Sequence, residues 1–154
     1  GLGEGVTDEE LLLLKTAALF HDTGHKAHYN NHEYFSTLVA MEILPSYFYT
    51  RSQVERICEL IMSTKLPPSP RNKLEEIMCD ADLDYLGRDD FDIISNALRN
   101  EFLAYGVIKN ERDWDRLQVS FFDSHKFFTV SSVRDRCPVK LQHLELLKRK
   151  LIAQ

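Results

Sequence analysis

The stretch TDEELLLLKTAALFHDTG, residues 7–24, decides the fold. Thr7 with Glu10 three residues later is the pattern of a capping box, in which each side chain bonds the other residue's backbone N–H at a helix start. The apolar run that follows predicts a mostly buried helix, and Gly24 is a typical helix stop. His21 and Asp22 therefore fall on the last turn of a core helix, where an imidazole and a carboxylate need an explanation.

Helical periodicity continues through the rest of the chain. A second helix is predicted from near Asn31, with His32 on its inward stripe. The inward positions of that helix are Phe35, Val39 and Ile43. Further helices are predicted from Ser52 (with Glu55), from Asn72 (with Glu75) to Gly87, from Phe91 to Gly106, through Trp114 to Phe128, and from about Pro138 onward. Period-2 alternation dominates nowhere, so the prediction is all-α: a compact single-domain bundle of six or more helices over residues 1–154.

Composition narrows the classes of function. The chain has 154 residues and a net charge of −5, with acidic and basic residues mixed throughout. The mixture gives no basic stripe, so no nucleic-acid groove is evident, and an anionic substrate would need a bound cation or a few placed Lys and Arg side chains. No apolar run reaches membrane-spanning length. Three cysteines without a pairing pattern indicate reduced thiols and a cytoplasmic setting.

Asp82 is the residue that breaks the pattern of its helix. It lies on the apolar stripe of the fourth predicted helix, whereas Asp80 and Asp84 are rotated away from it. An unpaired carboxylate there would cost several kcal/mol, on the order of 2–7. A divalent metal ion shared with His21 and Asp22 would satisfy it. An ion pair with a buried His or Arg would do so equally well.

Two segments together resemble the HD superfamily of metal-dependent phosphohydrolases. They are HDTGH at residues 21–25 and DADLDYLGRDDF at residues 80–91. The family pattern is a histidine, an adjacent His-Asp pair and a distant Asp on a helical scaffold. His21 and Asp22 match the pair, and Asp82 matches the distant Asp. The resemblance implies that these three hold a divalent ion drawn from Mn, Zn, Mg, Fe, Co and Ni. Residues 114–129 resemble the C-terminal part of a bacterial branch of the superfamily.

The chain departs from the family pattern in two places. The family's first ligand histidine lies on an earlier helix, but residues 1–20 contain no histidine. The expectation is that the chain lacks that first helix, the alternative being a site that has lost a ligand. His32 matches the first of the extra histidines by which dinuclear relatives hold a second metal, and a locally hydrogen-bonded core histidine is the equal alternative. Ser63 and Thr64 stand where the next is expected, so a full dinuclear set is not predicted.

The resemblance also suggests residues that would act on the substrate. Asp22 and His25 are the candidate catalytic residues, although His25 could equally be a polar helix-end residue. Lys65 and Arg88 are candidate substrate-binding residues, and a salt bridge to Asp89, Asp90 or Asp92 is the alternative for Arg88. His125 is expected to be a core histidine and His28 a surface one, and His143 has no assigned role.

The function that follows is hydrolysis of a small phosphate ester, as a phosphomonoesterase or phosphodiesterase. A nucleotide or cyclic nucleotide is the expected substrate class. The alternative is a catalytically inactive signalling or scaffold domain that binds a nucleotide on the same fold. Iron-dependent oxygen chemistry, which a few relatives carry out, is a third reading, and the incomplete second-metal set argues against it.

Overall fold

The computed structural model describes residues 2–26 and 30–153, and every regular element in these ranges is helical. Seven α-helices confirm the all-α prediction of six or more. Their contacts form two units, Gly1–Asp82 and Leu83–Gln154. The prediction of one domain over residues 1–154 stays a prediction. His28 lies outside the described residues, and so does its predicted surface position.

The first unit is built around its third helix. Its helices are α1 (Asp8–Phe20), α2 (His32–Ile43), α3 (Arg51–Ser63) and α4 (Lys73–Asp82), with short 3-10 helices at Leu2–Glu4, Thr23–Lys26 and Leu44–Tyr47. Helix α3 packs against the other three. Its Ile57, Leu60 and Ile61 side chains have no exposed surface. Each such burial contributes about 1.5–3 kcal/mol, so α3 is the scaffold that holds the ends of α1 and α4 in place.

Capping residues set the helix starts of this unit. Thr7 and Glu10 make both halves of the predicted capping box. The predicted cap of α3 is wrong, because Thr50 with Gln53 forms the capping box there instead of Ser52 with Glu55. Thr50 has the extended backbone that a cap needs, and α3 already begins at Arg51, so Ser52 lies within the helix. Asn72 caps α4 as predicted, since its Oδ1 accepts the Glu75 N–H at 3.2 Å.

The buried face of α2 differs from the predicted one. Ser36 and Ala40 have no exposed surface, whereas Ile43, predicted to point inward, is 39 % exposed. The reason is close approach. The chain around Gly24 lies against α2 so tightly that a Cβ at Gly24 would lie 2.7 Å from the Ser36 backbone nitrogen. Small side chains stand at Ser36 and Ala40 on that face, and the large Ile43 side chain is turned toward the outside.

Helix α4 also differs from its prediction, in length and in burial. It ends at Asp82, and a separate 3-10 helix covers Asp84–Gly87, where the sequence predicted one helix to Gly87. Asp80, predicted to point away from the core, is only 3 % exposed. Helix α4 packs against both α1 and α3, which buries a wider arc than a single apolar stripe.

The second unit contains the 3-10 helix Asp84–Gly87 and three α-helices: α5 (Phe91–Ala104), α6 (Glu111–Ser124) and α7 (Val130–Ile152). Its core consists of Leu86, Phe91, Phe122, Phe127, Leu144 and Leu147. Two predicted boundaries are wrong. Helix α6 ends at Ser124 rather than Phe128, and α7 begins after the Thr129 cap, with Pro138 inside it. Proline favours the first helical turn but is tolerated further in at the loss of one backbone hydrogen bond.

Two chain-wide expectations can be compared with the structure. Within the described residues, no helix combines the length and the apolar character that a membrane span requires. The three cysteines are free thiols, as predicted. Burial raises the pKa of the Cys79 thiol to about 11, which keeps it protonated and unreactive at neutral pH.

Candidate metal centre

His21 closes α1 and is oriented by the backbone of its own helix. Its Nδ1 lies 2.9 Å from the carbonyl oxygen of Ala18. A carbonyl oxygen only accepts hydrogen bonds, so Nδ1 carries a proton and donates it. The other ring nitrogen, Nε2, then faces away from the helix. This is the arrangement that metal-binding histidines use, with one nitrogen fixed by a carbonyl and the other free to coordinate.

Two carboxylates converge on the Nε2 atom of His21. Asp82 Oδ1 lies 2.9 Å from it and Asp22 Oδ2 lies 3.3 Å from it. Two ligand atoms that each lie about 2.1 Å from one ion are roughly 3.0–3.4 Å apart. The structure therefore brings both carboxylates of the predicted set next to one ring nitrogen of His21. Their role as ligands stays a prediction.

The charges of this cluster are also consistent with the alternative, an ion pair between His21 and Asp82. Burial alone would lower the pKa of His21, but the hydrogen bond to Asp82 and the charges of Asp82 and Asp22 outweigh it and raise the pKa to about 9. At neutral pH without a metal, the imidazolium is then the cation between two carboxylates. A divalent ion would take the place of that proton. One imidazole nitrogen and two carboxylate oxygens are a donor set that suits zinc, manganese, iron or magnesium, so these residues fit the group.

Asp22 connects this cluster to a second one. Its other oxygen, Oδ1, lies 3.4 Å from His32 Nε2 and 3.7 Å from His25 Nε2. The two imidazole rings are stacked, with centroids 3.6 Å apart. The three ligand atoms all lie within 4.8 Å of one another. The Asp22 side chain is 59 % exposed, so the junction between the clusters is open to solvent.

Ser36 fixes the backbone turn that carries these residues. Its Oγ donates to the His21 carbonyl oxygen at 2.5 Å and accepts the Gly24 N–H at 2.9 Å. Gly24 is required by space, because a Cβ there would overlap the carbonyl oxygen of His32. Sequence reasoning missed Ser36. The signal that could have indicated Ser36 is its small size on α2, opposite the glycine of HDTG.

The HD domain family model matches residues 1–85, more than half of the chain. The chain belongs to the HD domain family. The resemblance seen in the sequence is thereby confirmed, and the matched range contains both clusters. No curated protein and no solved structure matches the chain. HD domains generally belong to metal-dependent phosphohydrolases, the class that the resemblance implied.

Two further acids near the HD residues were missed from the sequence. Glu33 is 6 % exposed, and its Oε1 lies 3.6 Å from His32 Nε2. Asp80 is buried two residues before Asp82. Glu33 directly follows His32, and Asp80 lies two residues before Asp82. This closeness in sequence to a candidate ligand is the signal that could have indicated both acids. Glu33 adds negative charge beside His32, which favours a bound cation.

The two candidate substrate-binding residues have different surroundings. Lys65 Nζ donates to Asn31 Oδ1 at 2.9 Å, so its ammonium is held beside the residue that precedes His32. Arg88 belongs to the second unit and pairs with Asp90, with Nε 2.9 Å from Oδ1, and with Asp84 at 3.6 Å. The pair with Asp90 is one of the salt bridges named as the alternative role of Arg88. A role in substrate binding stays a prediction for both residues.

Proposed function

We propose that this HD domain is a metal-dependent phosphohydrolase that acts on a small phosphate ester, a nucleotide or a cyclic nucleotide. The observation that carries the proposal is the convergence of Asp22 and Asp82 on His21 Nε2, at 3.3 and 2.9 Å. A cytoplasmic setting belongs to the proposal, because three free thiols persist in a reducing compartment.

His21, Asp22 and Asp82 would hold the divalent ion. When bound, such an ion polarises a phosphoryl oxygen and lowers the pKa of water beside it. The residues supply what surrounds that chemistry. The Ala18 carbonyl holds a proton on Nδ1 of His21, so Nε2 is the nitrogen that would coordinate the ion once the ion displaces its proton. The exposed face of Asp22 leaves room for a phosphate group.

Asp22 and His25 are proposed as the catalytic residues. Asp22 Oδ1 points to the second cluster and is positioned to accept a proton from the attacking water. His25 Nε2 is 3.7 Å from that oxygen, and its side chain is 35 % exposed. From there it can give a proton to the leaving oxygen or contact the phosphate. Stacking against His32 limits how the His25 ring can turn, which keeps it oriented.

Two other residues would extend the site. His32 with Asp22 and His25 offers three ligand atoms for a second cation. Lys65, tied to Asn31, would meet the negative charge of the substrate.

The experiment is a hydrolysis screen of the full chain over phosphate monoesters, phosphodiesters and nucleotides, each with Mn²⁺, Zn²⁺, Mg²⁺, Fe²⁺, Co²⁺ or Ni²⁺. We expect metal-dependent release of phosphate or nucleoside monophosphate that EDTA abolishes. Asp82→Asn should reduce the rate about a hundredfold or more, because loss of a residue that merely supports a ligand already costs about 10–100-fold. Asp89→Asn is the matched control, since Asp89 is exposed.

Three outcomes would reject the proposal. Metal and nucleotide binding without turnover of any substrate would favour the inactive binding domain instead. Hydrolysis that survives EDTA, or falls equally in Asp82→Asn and Asp89→Asn, would show that the activity does not come from this centre.

A further inference from the structure

A cavity of about 280 Å³ lies in the second unit, among α5, α6 and α7. Phe91, Trp114 and His143 form its aromatic wall. The His143 ring stacks on Phe91 with centroids 4.6 Å apart, and its Nδ1 donates to the Leu86 carbonyl oxygen at 3.0 Å. The ring is therefore held in one orientation, with Nε2 as the remaining acceptor of the neutral imidazole.

Polar groups on the cavity wall retain unused hydrogen-bonding capacity. The buried Nε of Arg99 has no hydrogen-bond partner among the described residues. Gln118 is buried and donates to Ser95 Oγ at 2.6 Å, which leaves its carbonyl oxygen as an acceptor. Asn96, on the exposed side, adds a second carboxamide.

The charges on the wall exclude a strongly anionic ligand. Arg99 is paired with Glu111 at 3.3 Å, and Lys150 is paired with the buried Asp115 at 2.8 Å. Asp92 adds a negative charge to the lining. Neither cation is therefore spare, and a phosphate group entering the cavity would have to compete with an existing partner.

We propose that this cavity binds a single nucleobase or a planar nitrogen heterocycle of that size. Carboxamides such as those of Asn96 and Gln118 pair with the donor and acceptor edge of a base, and the partly exposed ring of His143 offers a surface for the base to stack on. Ligand pockets span roughly 300–1,000 Å³, so 280 Å³ suits one or two fused rings rather than a whole nucleotide. The site lies outside the matched HD range and does not depend on the phosphohydrolase proposal.

The chain carries its own reporter of binding, because Trp114 is its only tryptophan and lines the cavity. Adenine, guanine, cytosine and uracil are titrated into the full protein while Trp114 fluorescence is followed. N-acetyltryptophanamide, titrated in parallel, corrects for light absorbed by the base. We expect a saturable change with at least one base. The absence of any saturable change up to millimolar concentrations would overturn the proposal.

Two asparagines on α5 give a matched pair of variants. Asn96 lines the cavity and Asn100 does not, and both are exposed, so neither substitution should affect folding. Asn96→Ala should weaken binding of the responsive base about fivefold to tenfold, the effect of one lost hydrogen bond, and Asn100→Ala should leave it unchanged. Equal affinities in the two variants would overturn the proposed site. So would tighter binding of the matching nucleoside monophosphate, because the cavity has no unpaired cation for its phosphate.

Discussion

The carbonyl oxygen of Ala18 determines which nitrogen of His21 faces the two carboxylates. Because Nδ1 donates to that oxygen, Nε2 is directed at Asp82 and Asp22. The position of the ring in turn depends on the backbone around it, and Ser36 bonds that backbone on both sides of Asp22. At the scale of single residues, the geometry of the centre rests on these two backbone contacts.

Ser36→Ala removes the hydroxyl that joins the His21 carbonyl to the Gly24 N–H. We expect the free energy of unfolding to fall by about 1–2 kcal/mol, since two buried backbone groups lose a partner. We also expect Mn²⁺ affinity, measured by calorimetry, to fall roughly tenfold, as for other residues that orient a metal ligand. Ser63→Ala is the control, because Ser63 bonds only within α3 and to Cys79. Equal Mn²⁺ affinity in the two variants would contradict a positioning role for Ser36.

Gly24→Ala should destabilise the protein through overlap. The added Cβ would collide with the His32 carbonyl oxygen and lie 2.7 Å from the Ser36 nitrogen, both of them backbone atoms that cannot rotate away. We expect a loss of about 3 kcal/mol in urea unfolding. Gly3→Ala is the control, because a Cβ there meets nothing within 4 Å. Similar unfolding midpoints for the two variants would show that α2 is packed less tightly on the turn than described.

At the scale of elements, helix starts could be predicted where the signal is local. Thr7 with Glu10, and Asn72 with Glu75, are capping pairs that lie within four residues, and both form. The start of α7 was predicted wrongly at Pro138. Proline is common in the first turn of a helix and rare in the interior, so the sequence favoured a helix that begins there. Pro138 lies inside the helix, and Thr129 provides the cap.

The face that a helix buries depends on its neighbours and was harder to predict. The periodicity of α2 selects its large apolar residues, whereas the close approach of Gly24 selects Ser36 and Ala40. Asp80 is a second example, because α1 and α3 together cover more of α4 than one stripe. In both cases the buried face is decided by a contact between segments that are distant in sequence. The helix propensity and periodicity of one segment carry no information about such a contact.

The first turn of α4 supplies a pH-dependent contribution to stability. Glu75 is 1 % exposed and accepts hydrogen bonds from the Arg71 N–H at 2.8 Å and from Asn72 Nδ2 at 2.7 Å. Burial would raise the pKa of Glu75, but these bonds and the charges of Arg71 and Arg56 hold it below its ordinary value. The stabilisation is therefore present above about pH 4.5 and is lost as pH falls through the lowered pKa.

Glu75→Ala should cost about 2–4 kcal/mol at neutral pH, because two donors and the Arg56 guanidinium lose their buried partner. The difference from wild type should shrink on acidification toward the lowered pKa. Urea unfolding at several pH values, in EDTA, measures both effects. Glu76→Ala is the control, one position along the same helix and only half-buried. A cost that is independent of pH would mean that Glu75 acts by packing and not by its charge.

At the scale of the whole molecule, part of the site could be predicted from the sequence. An inward carboxylate at Asp82 and the His-Asp pair on a helix end indicated one cluster, and the structure places their atoms within hydrogen-bonding range or close to it. Ser36 and Glu33 were missed, because each acts through a contact made only after α2 folds against the chain around Gly24. The cavity of the second unit was missed too, since its lining comes from three helices with no shared motif.

The central claim is that His21, Asp22 and Asp82 bind one divalent ion, and paired thermal melts test it most directly. Wild type, Asp82→Ala and the exposed-site control Asp89→Ala are each melted in EDTA and in excess Mn²⁺ or Zn²⁺. At about 100 times the dissociation constant, metal adds about 2.7 kcal/mol, which corresponds to a rise of roughly 5–10 °C in Tm. We predict that rise in wild type and in Asp89→Ala and none in Asp82→Ala. Equal rises in all three proteins, or no rise in wild type, would contradict it.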